Sequence, residues 1–150
     1  MKESLKHFLH YLSVERGLAR NSLEAYERDL TAFLEYLTDK HGLSTPEEVS
    51  RVHIVGYLMH LREAGRASST VARTMTSIRG FFKFLVREQG LVSDPSAYME
   101  SPKTDKKLPK VMNLEEVERL LDAPRRDDPA GIRDKAMLEL LYAAGIRVSE

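Results

Sequence analysis

The first ninety residues carry apolar positions at helical spacing, broken by short polar stretches. Leu5, Phe8, Leu9 and Leu12 recur at i, i+3, i+4 and i+7, which predicts a first helix that Gly17 closes. Asn21 then reads as an N-cap, with Glu24 three residues on as its capping-box partner. The stripe Leu23, Tyr26, Leu30, Phe33, Leu34 and Leu37 carries this second helix down to Thr38. Thr45-Pro46-Glu47-Glu48 opens a third, with Thr45 as cap, Pro46 at the first helical position and Glu48 closing the box. It runs to about Glu63, with a break allowed near Ser50, and Gly65 ends it. A fourth starts at Ser68 or Ser69 and runs to about Gln89, where Gly90 stops it. No stretch alternates with period two and no segment repeats. Four amphipathic helices on short loops predict an all-α fold, a four-helix bundle.

The pattern then lapses. Asp94 to Lys110, DPSAYMESPKTDKKLPK, holds three prolines and four lysines with little periodicity, a linker composition. The expected division is a first domain over 1–100, a linker over 101–110 and a second region over 111–150. In that region Asn113-Leu-Glu-Glu opens a short helix with Leu114, Val117, Leu120 and Leu121 on its apolar face. Asp128-Pro129 opens another that runs to Ala144, and Gly145 reads as its stop. Two such helices hold too few apolar residues for a core, so they read as the first elements of a domain continuing past Glu150.

Charge changes the picture at one helix. The net charge is zero, but residues 1–110 hold 17 Lys+Arg against 14 Asp+Glu, and residues 111–150 hold 6 against 9. From Arg66 to Arg87 there are five basic residues and no acidic one. At 100° per residue, Val71, Met75, Ile78, Phe82 and Leu85 of the fourth helix share a narrow core-facing arc. Ser69, Arg73, Thr76, Gly80, Lys83 and Arg87 fall opposite. Exposed helices ordinarily intersperse Glu with Lys or Arg, because i,i+4 pairs stabilise them; here that stabilisation is forgone. A narrow basic face of this length suits a DNA major groove. Its cations would neutralise phosphates, its hydroxyls reach phosphates or base edges, and Gly80 would permit close approach. The same pattern also fits a basic surface without a partner, or one that meets an acidic protein. Arg16, Arg20, Asn21 and Arg28 add a weaker cluster around the start of the second helix.

Other chemistry is sparse. Zero cysteines exclude disulfides and thiolate metal sites and fit a reducing cytoplasm. His7, His10, His41, His53 and His60 are scattered, with no carboxylates at metal-ligand spacing. Tyr26, Tyr36, Tyr57, Tyr98 and Tyr142 read as packing residues. No apolar run is long enough to span a membrane, and the charged N-terminus has no secretory signal pattern.

In order along the chain, GLARNSLEAYERDLTAFLEYL, ASSTVARTMTSIRGFFKFLVREQG, DPSAYMESPKTDKKLPKVMNLEEVERLLDAP and RDKAMLELLYAAGIRVSE resemble successive segments of tyrosine recombinases. The resemblance covers essentially all 150 residues and is closest to the Xer branch, bacterial recombinases that resolve chromosome dimers. It implies a SAM-like core-binding bundle that forms half of a clamp around DNA. It implies a linker whose Lys103, Lys106, Lys107 and Lys110 cross the duplex, followed by the start of a catalytic domain. It implies strand cleavage by a tyrosine through a 3′-phosphotyrosyl bond, without metal or nucleotide cofactor. Arg147 matches the family's first catalytic arginine, and Glu150 stands where an acidic residue often positions it. The family's lysine, its histidine–arginine pair and its nucleophilic tyrosine would lie beyond Glu150, so the chain reads as part of a longer recombinase. The implied partners are a double-stranded recombination site and, in the longer parent, a tetramer of recombinase subunits in which a second related recombinase can take part. An integrase of a phage or mobile element shares these motifs, and a non-catalytic helical DNA-binding protein complete at 150 residues is the remaining alternative.

Overall fold

Four apolar stripes have to leave water together, and they do so in one shared core. The structure, a computed structural model, describes residues 1–100, 111–125 and 127–148. Among the described residues six α-helices follow in chain order: α1 (Lys2–Val14), α2 (Arg20–His41), α3 (Arg51–Glu63), α4 (Ser68–Glu88), α5 (Leu114–Asp122) and α6 (Pro129–Ala144). None of these residues is in a strand, and the fold is all-α. The chain divides into two units, Met1–Lys106 and Lys107–Glu150. The expected linker, 101–110, lies outside the described residues.

In the first unit α2 and α4 each pack against all three other helices, and α4 buries the most side chains. Val71, Met75, Ile78, Phe82 and Leu85 are buried as their spacing predicts, and Phe81 and Phe84 widen the arc. The cause is α1. Its Phe8 ring lies 5.6 Å from Phe81 and 5.3 Å from Phe84, centroid to centroid. On the other side Phe33 of α2 meets Phe82 and Tyr57 at 6.5 and 5.2 Å. Burying each such ring contributes about 1.5–3 kcal/mol, and the tilted and edge-on pairings suit the ring quadrupoles.

The boundaries refine the sequence reading. α2 begins at Arg20 with Ala19 as N-cap, and no side chain caps it. Asn21 is therefore not the cap, and Glu24 is not its box partner: Arg20 Nε takes Glu24 Oε1 at 2.8 Å. α2 also continues three residues past Thr38. Thr38 returns its hydroxyl to the Leu34 carbonyl, and Gly42, at φ +66°, ends the helix in a left-handed turn. The Thr45–Glu48 box forms, but it caps a 3-10 turn over Pro46–Glu48. α3 proper starts after Ser50, whose backbone N–H donates to His53 Nδ1. Residues 94–99, linker-like in composition, fold back on α4. Asp94 Oδ1 accepts from the backbone and hydroxyl of buried Ser96, and Arg79 donates to the Met99 carbonyl. Tyr98 is not a packing residue: it is exposed at φ +58°.

In the second unit Asn113 and Glu116 cap α5 reciprocally, each bond 2.8 Å. Asp128 accepts from the Gly131 N–H to cap α6. Lys135 Nζ joins the helices through Asp122 Oδ1 at 2.7 Å. Leu114, Leu120, Ile132, Met137, Leu140 and Tyr142 are all exposed, so Tyr142 is not a packing residue here either. Gly131 is buried because α6 starts against the preceding loop; a Cβ there would stand 1.8 Å from the Arg125 carbonyl oxygen.

Candidate nucleic-acid interface

The outer face of α4 is basic because the helix carries no carboxylate before its last residue, Glu88. Ser69, Arg73, Thr76, Lys83 and Arg87 are exposed, and no carboxylate stands between Arg66 and Arg87. Lys83 has no hydrogen-bond or ion-pair partner among the described residues. Thr76 donates its hydroxyl to the Ala72 carbonyl at 3.1 Å, which leaves its oxygen free to accept. Arg87 is held from two sides. Its Nε meets Glu88 Oε1, and its guanidinium lies 5.2 Å from the Tyr11 ring centroid. Glu88 first, then Tyr11, raise its already high pKa. Gly80 does not belong to this open face. A Cβ there would stand 3.4 Å from Phe8 Cζ and 3.7 Å from Tyr26 Cε1, so the close approach it permits is that of α1 and α2.

Arg73 is the most constrained of the set. Its Nη1 donates to Asp29 Oδ2 at 2.6 Å and reaches the Ala25 carbonyl at 3.5 Å. The Ser77 hydroxyl donates to the same Asp29 oxygen at 3.0 Å. The Asp29 side chain is 6% exposed and that of Arg73 41%. Sequence reasoning passed over Asp29, yet the signal was there. It stands three residues after Tyr26 and four before Phe33, on the core stripe of α2, where a carboxylate needs a partner.

At the start of α2, Asn21 and Arg28 are exposed and unpartnered among the described residues, while Arg20 is paired with Glu24. A groove of about 380 Å³ opens between α1, α2 and α4. Phe8, Tyr11 and Tyr26 line it together with Arg16, Lys83 and Arg87, and no carboxylate does. Lys83 and Arg87, predicted from one helix face, and Arg16, predicted with the cluster at the start of α2, thus line one groove.

In the second unit Gly145 adopts φ +62° and caps α6 through its N–H to the Leu141 carbonyl at 3.0 Å. Arg147 follows on the exposed loop. Lys103, Lys106, Lys107 and Glu150 lie outside the described residues.

Residues 5–89 match the profile of the phage integrase N-terminal SAM-like domain, and residues 110–150 that of the phage integrase family. Tyrosine recombinase XerD of Halalkalibacterium halodurans is 46% identical over 150 residues, 100% of this chain and 50% of that protein. Proteins of the same name from Listeria monocytogenes and Staphylococcus aureus are 43% and 41% identical over the same 150 residues. The chain spans about half the length of the curated relatives it matches. Among solved structures, the Tn1549 transposon integrase in complex with circular intermediate DNA superposes at a TM-score of 0.66, with 18% identity, over 97% of this chain and 47% of that one. The XerA recombinase crystal structure gives 0.51 with 21% identity, over 99% and 48%. At these identities the two structures speak to the fold alone.

Proposed function

The chain belongs to the phage integrase family, and from that premise we propose that it is the DNA-binding portion of a Xer-type site-specific tyrosine recombinase, with the start of its catalytic domain. The observation that carries the proposal is the basic outer face of α4, with no carboxylate from Arg66 to Arg87, together with Lys83, Asn21 and Arg28, which have no partner among the described residues. Cations left without partners are available to exchange counterions with phosphates. The XerD relatives at 41–46% identity favour the Xer reading over an integrase of a mobile element.

In the proposed reaction a tyrosine of the complete protein attacks a phosphodiester, forming a phosphotyrosyl bond and freeing a 5′-hydroxyl. Arg147 would hold the non-bridging oxygens, since a planar guanidinium can donate to both and offset the charge that grows in the transition state. The covalent bond conserves the phosphodiester energy for rejoining. Such a protein would work in the cytoplasm as a tetramer on a recombination site, resolving chromosome dimers before cell division. Among the described residues no helix is long and apolar enough to cross a membrane.

The test is fluorescence anisotropy with a labelled duplex across a salt series. Lys83→Glu combined with Arg28→Glu should weaken binding at least tenfold while leaving the helical circular dichroism intact. Each lost phosphate contact should flatten the slope of log affinity against log salt by about 0.9. Unchanged affinity and slope in the folded double variant would remove this face from the interface.

A further inference from the structure

Asp29 is the one buried carboxylate among the described residues. An ionised group there is costly unless it is paired and hydrogen-bonded. Its Oδ2 meets both needs, taking Arg73 Nη1 at 2.6 Å and the Ser77 hydroxyl at 3.0 Å. Arginine carries five N–H donors in a rigid plane. Nη1 is turned to α2, toward Asp29 and the Ala25 carbonyl. Nε and Nη2 have no partner among the described residues, on a side chain 41% exposed. Since the guanidinium is planar, fixing Nη1 also fixes the plane in which the other donors lie.

We infer that Asp29 is a positioning residue for DNA binding, clamping the Arg73 guanidinium so that its Nε and Nη2 donors are preset to grip a backbone phosphate. The inference rests on the DNA-binding reading proposed above. An unclamped arginine on an exposed helix loses rotamer freedom when it meets a phosphate. The Asp29–Ser77 arrangement spends that entropy during folding instead, as outer-shell carboxylates do for metal-binding histidines. Ser77, one helical turn from Arg73, holds the carboxylate in turn.

A purely structural ion pair between α2 and α4 gives the opposite sign. There Asp29 merely neutralises Arg73, and removing its charge would make the face more positive and strengthen duplex binding. The experiment is anisotropy of the full 150-residue chain with a labelled mixed-sequence duplex, comparing the unmodified chain, Asp29→Asn, Arg73→Lys and the double variant. Circular dichroism melts serve as the fold check. Asp29→Asn should weaken binding about tenfold, even though it adds a net positive charge. Arg73→Lys keeps the charge but not the fork, and should weaken binding by a similar factor. The double variant should bind no more weakly than either single one, because the two residues act as one unit. Binding by folded Asp29→Asn that is equal to or tighter than that of the unmodified chain overturns the inference. If Asp29→Asn does not fold, Arg73→Lys decides, and unchanged affinity there overturns it equally. Failure of the unmodified chain to bind the duplex at low salt is a separate result that sinks the DNA-binding reading itself.

Discussion

Tyr57 shows how a residue's surroundings write a pH dependence into the fold. Its ring packs against Phe33 and Tyr36 at 5.2 and 5.0 Å, and it is buried. Burial first, and then the negative charge of Asp29, push its phenol up to about 12 from 10.0. The neutral form is the one the folded state favours. The stability this confers is present in full below the unfolded value near 10 and is lost as pH rises through about 12. Urea unfolding followed from neutral pH through this alkaline window should show a fall in midpoint that Tyr57→Phe makes shallower. The same fall in both proteins would mean that Tyr57 does not titrate with folding. The phenol also illustrates why Asp29 has consequences beyond its own ion pair, since its charge is felt inside the apolar core.

At the scale of elements, Gly80 decides how closely three helices approach. With 3.4 Å from its virtual Cβ to Phe8 Cζ, alanine fits in ordinary contact and gains about 0.5–1 kcal/mol of helix propensity. Leucine would force Phe8 or Tyr26 aside at a cost of about 1–3 kcal/mol. Thermal melts should therefore show Gly80→Ala at or above the parent and Gly80→Leu well below it; equal midpoints for the two would refute the tight packing. The sequence made this glycine look exposed because a single helical wheel assumes one buried face, and α4 is covered from three directions. The same assumption concealed Phe81 and Phe84. In α2, whose buried positions keep to one stripe, the reading was sound: Leu30, Phe33, Leu34 and Leu37 are all buried, and Gly42, Gly65 and Gly90 mark turns through positive φ. Asn21 misled because capping preference is local, whereas Arg20 competes for Glu24 and the helix starts two residues earlier, with Ala19 as its N-cap. The cations of the candidate interface were legible as a pattern, but Asp29's partners were not, since residues 29, 73 and 77 meet only through the packing of α2 on α4.

At the scale of the whole molecule, the proposed reading puts binding and chemistry on different units. The first unit has an apolar core and the basic face of α4; the second has Arg147, and its apolar side chains are largely exposed. This division predicts that the two functions can be separated by single substitutions in the complete protein. In that reading duplex affinity is a sum over many phosphate contacts carried chiefly by the first unit, so deleting the loop arginine of the second changes it little. Transition-state charge at one phosphate is met by few donors, and losing one costs on the order of 3 kcal/mol, or more than a hundredfold in rate. Arg147→Ala in a full-length parent should therefore nearly abolish covalent attachment to a nicked suicide substrate, read as a shifted band on a denaturing gel. Its anisotropy curve with the same duplex should stay within a fewfold of the parent. The 150-residue chain itself should bind duplex yet give no covalent band, because holding a phosphate does not supply the nucleophile that cleavage requires. A covalent band from residues 1–150 would assign the nucleophile to a tyrosine within them, with exposed Tyr98 and Tyr142 the first to test by substitution with phenylalanine. Loss of duplex affinity in Arg147→Ala as severe as its loss of cleavage would instead show that this loop arginine is a principal binding contact, and the separation of roles between the units would fall.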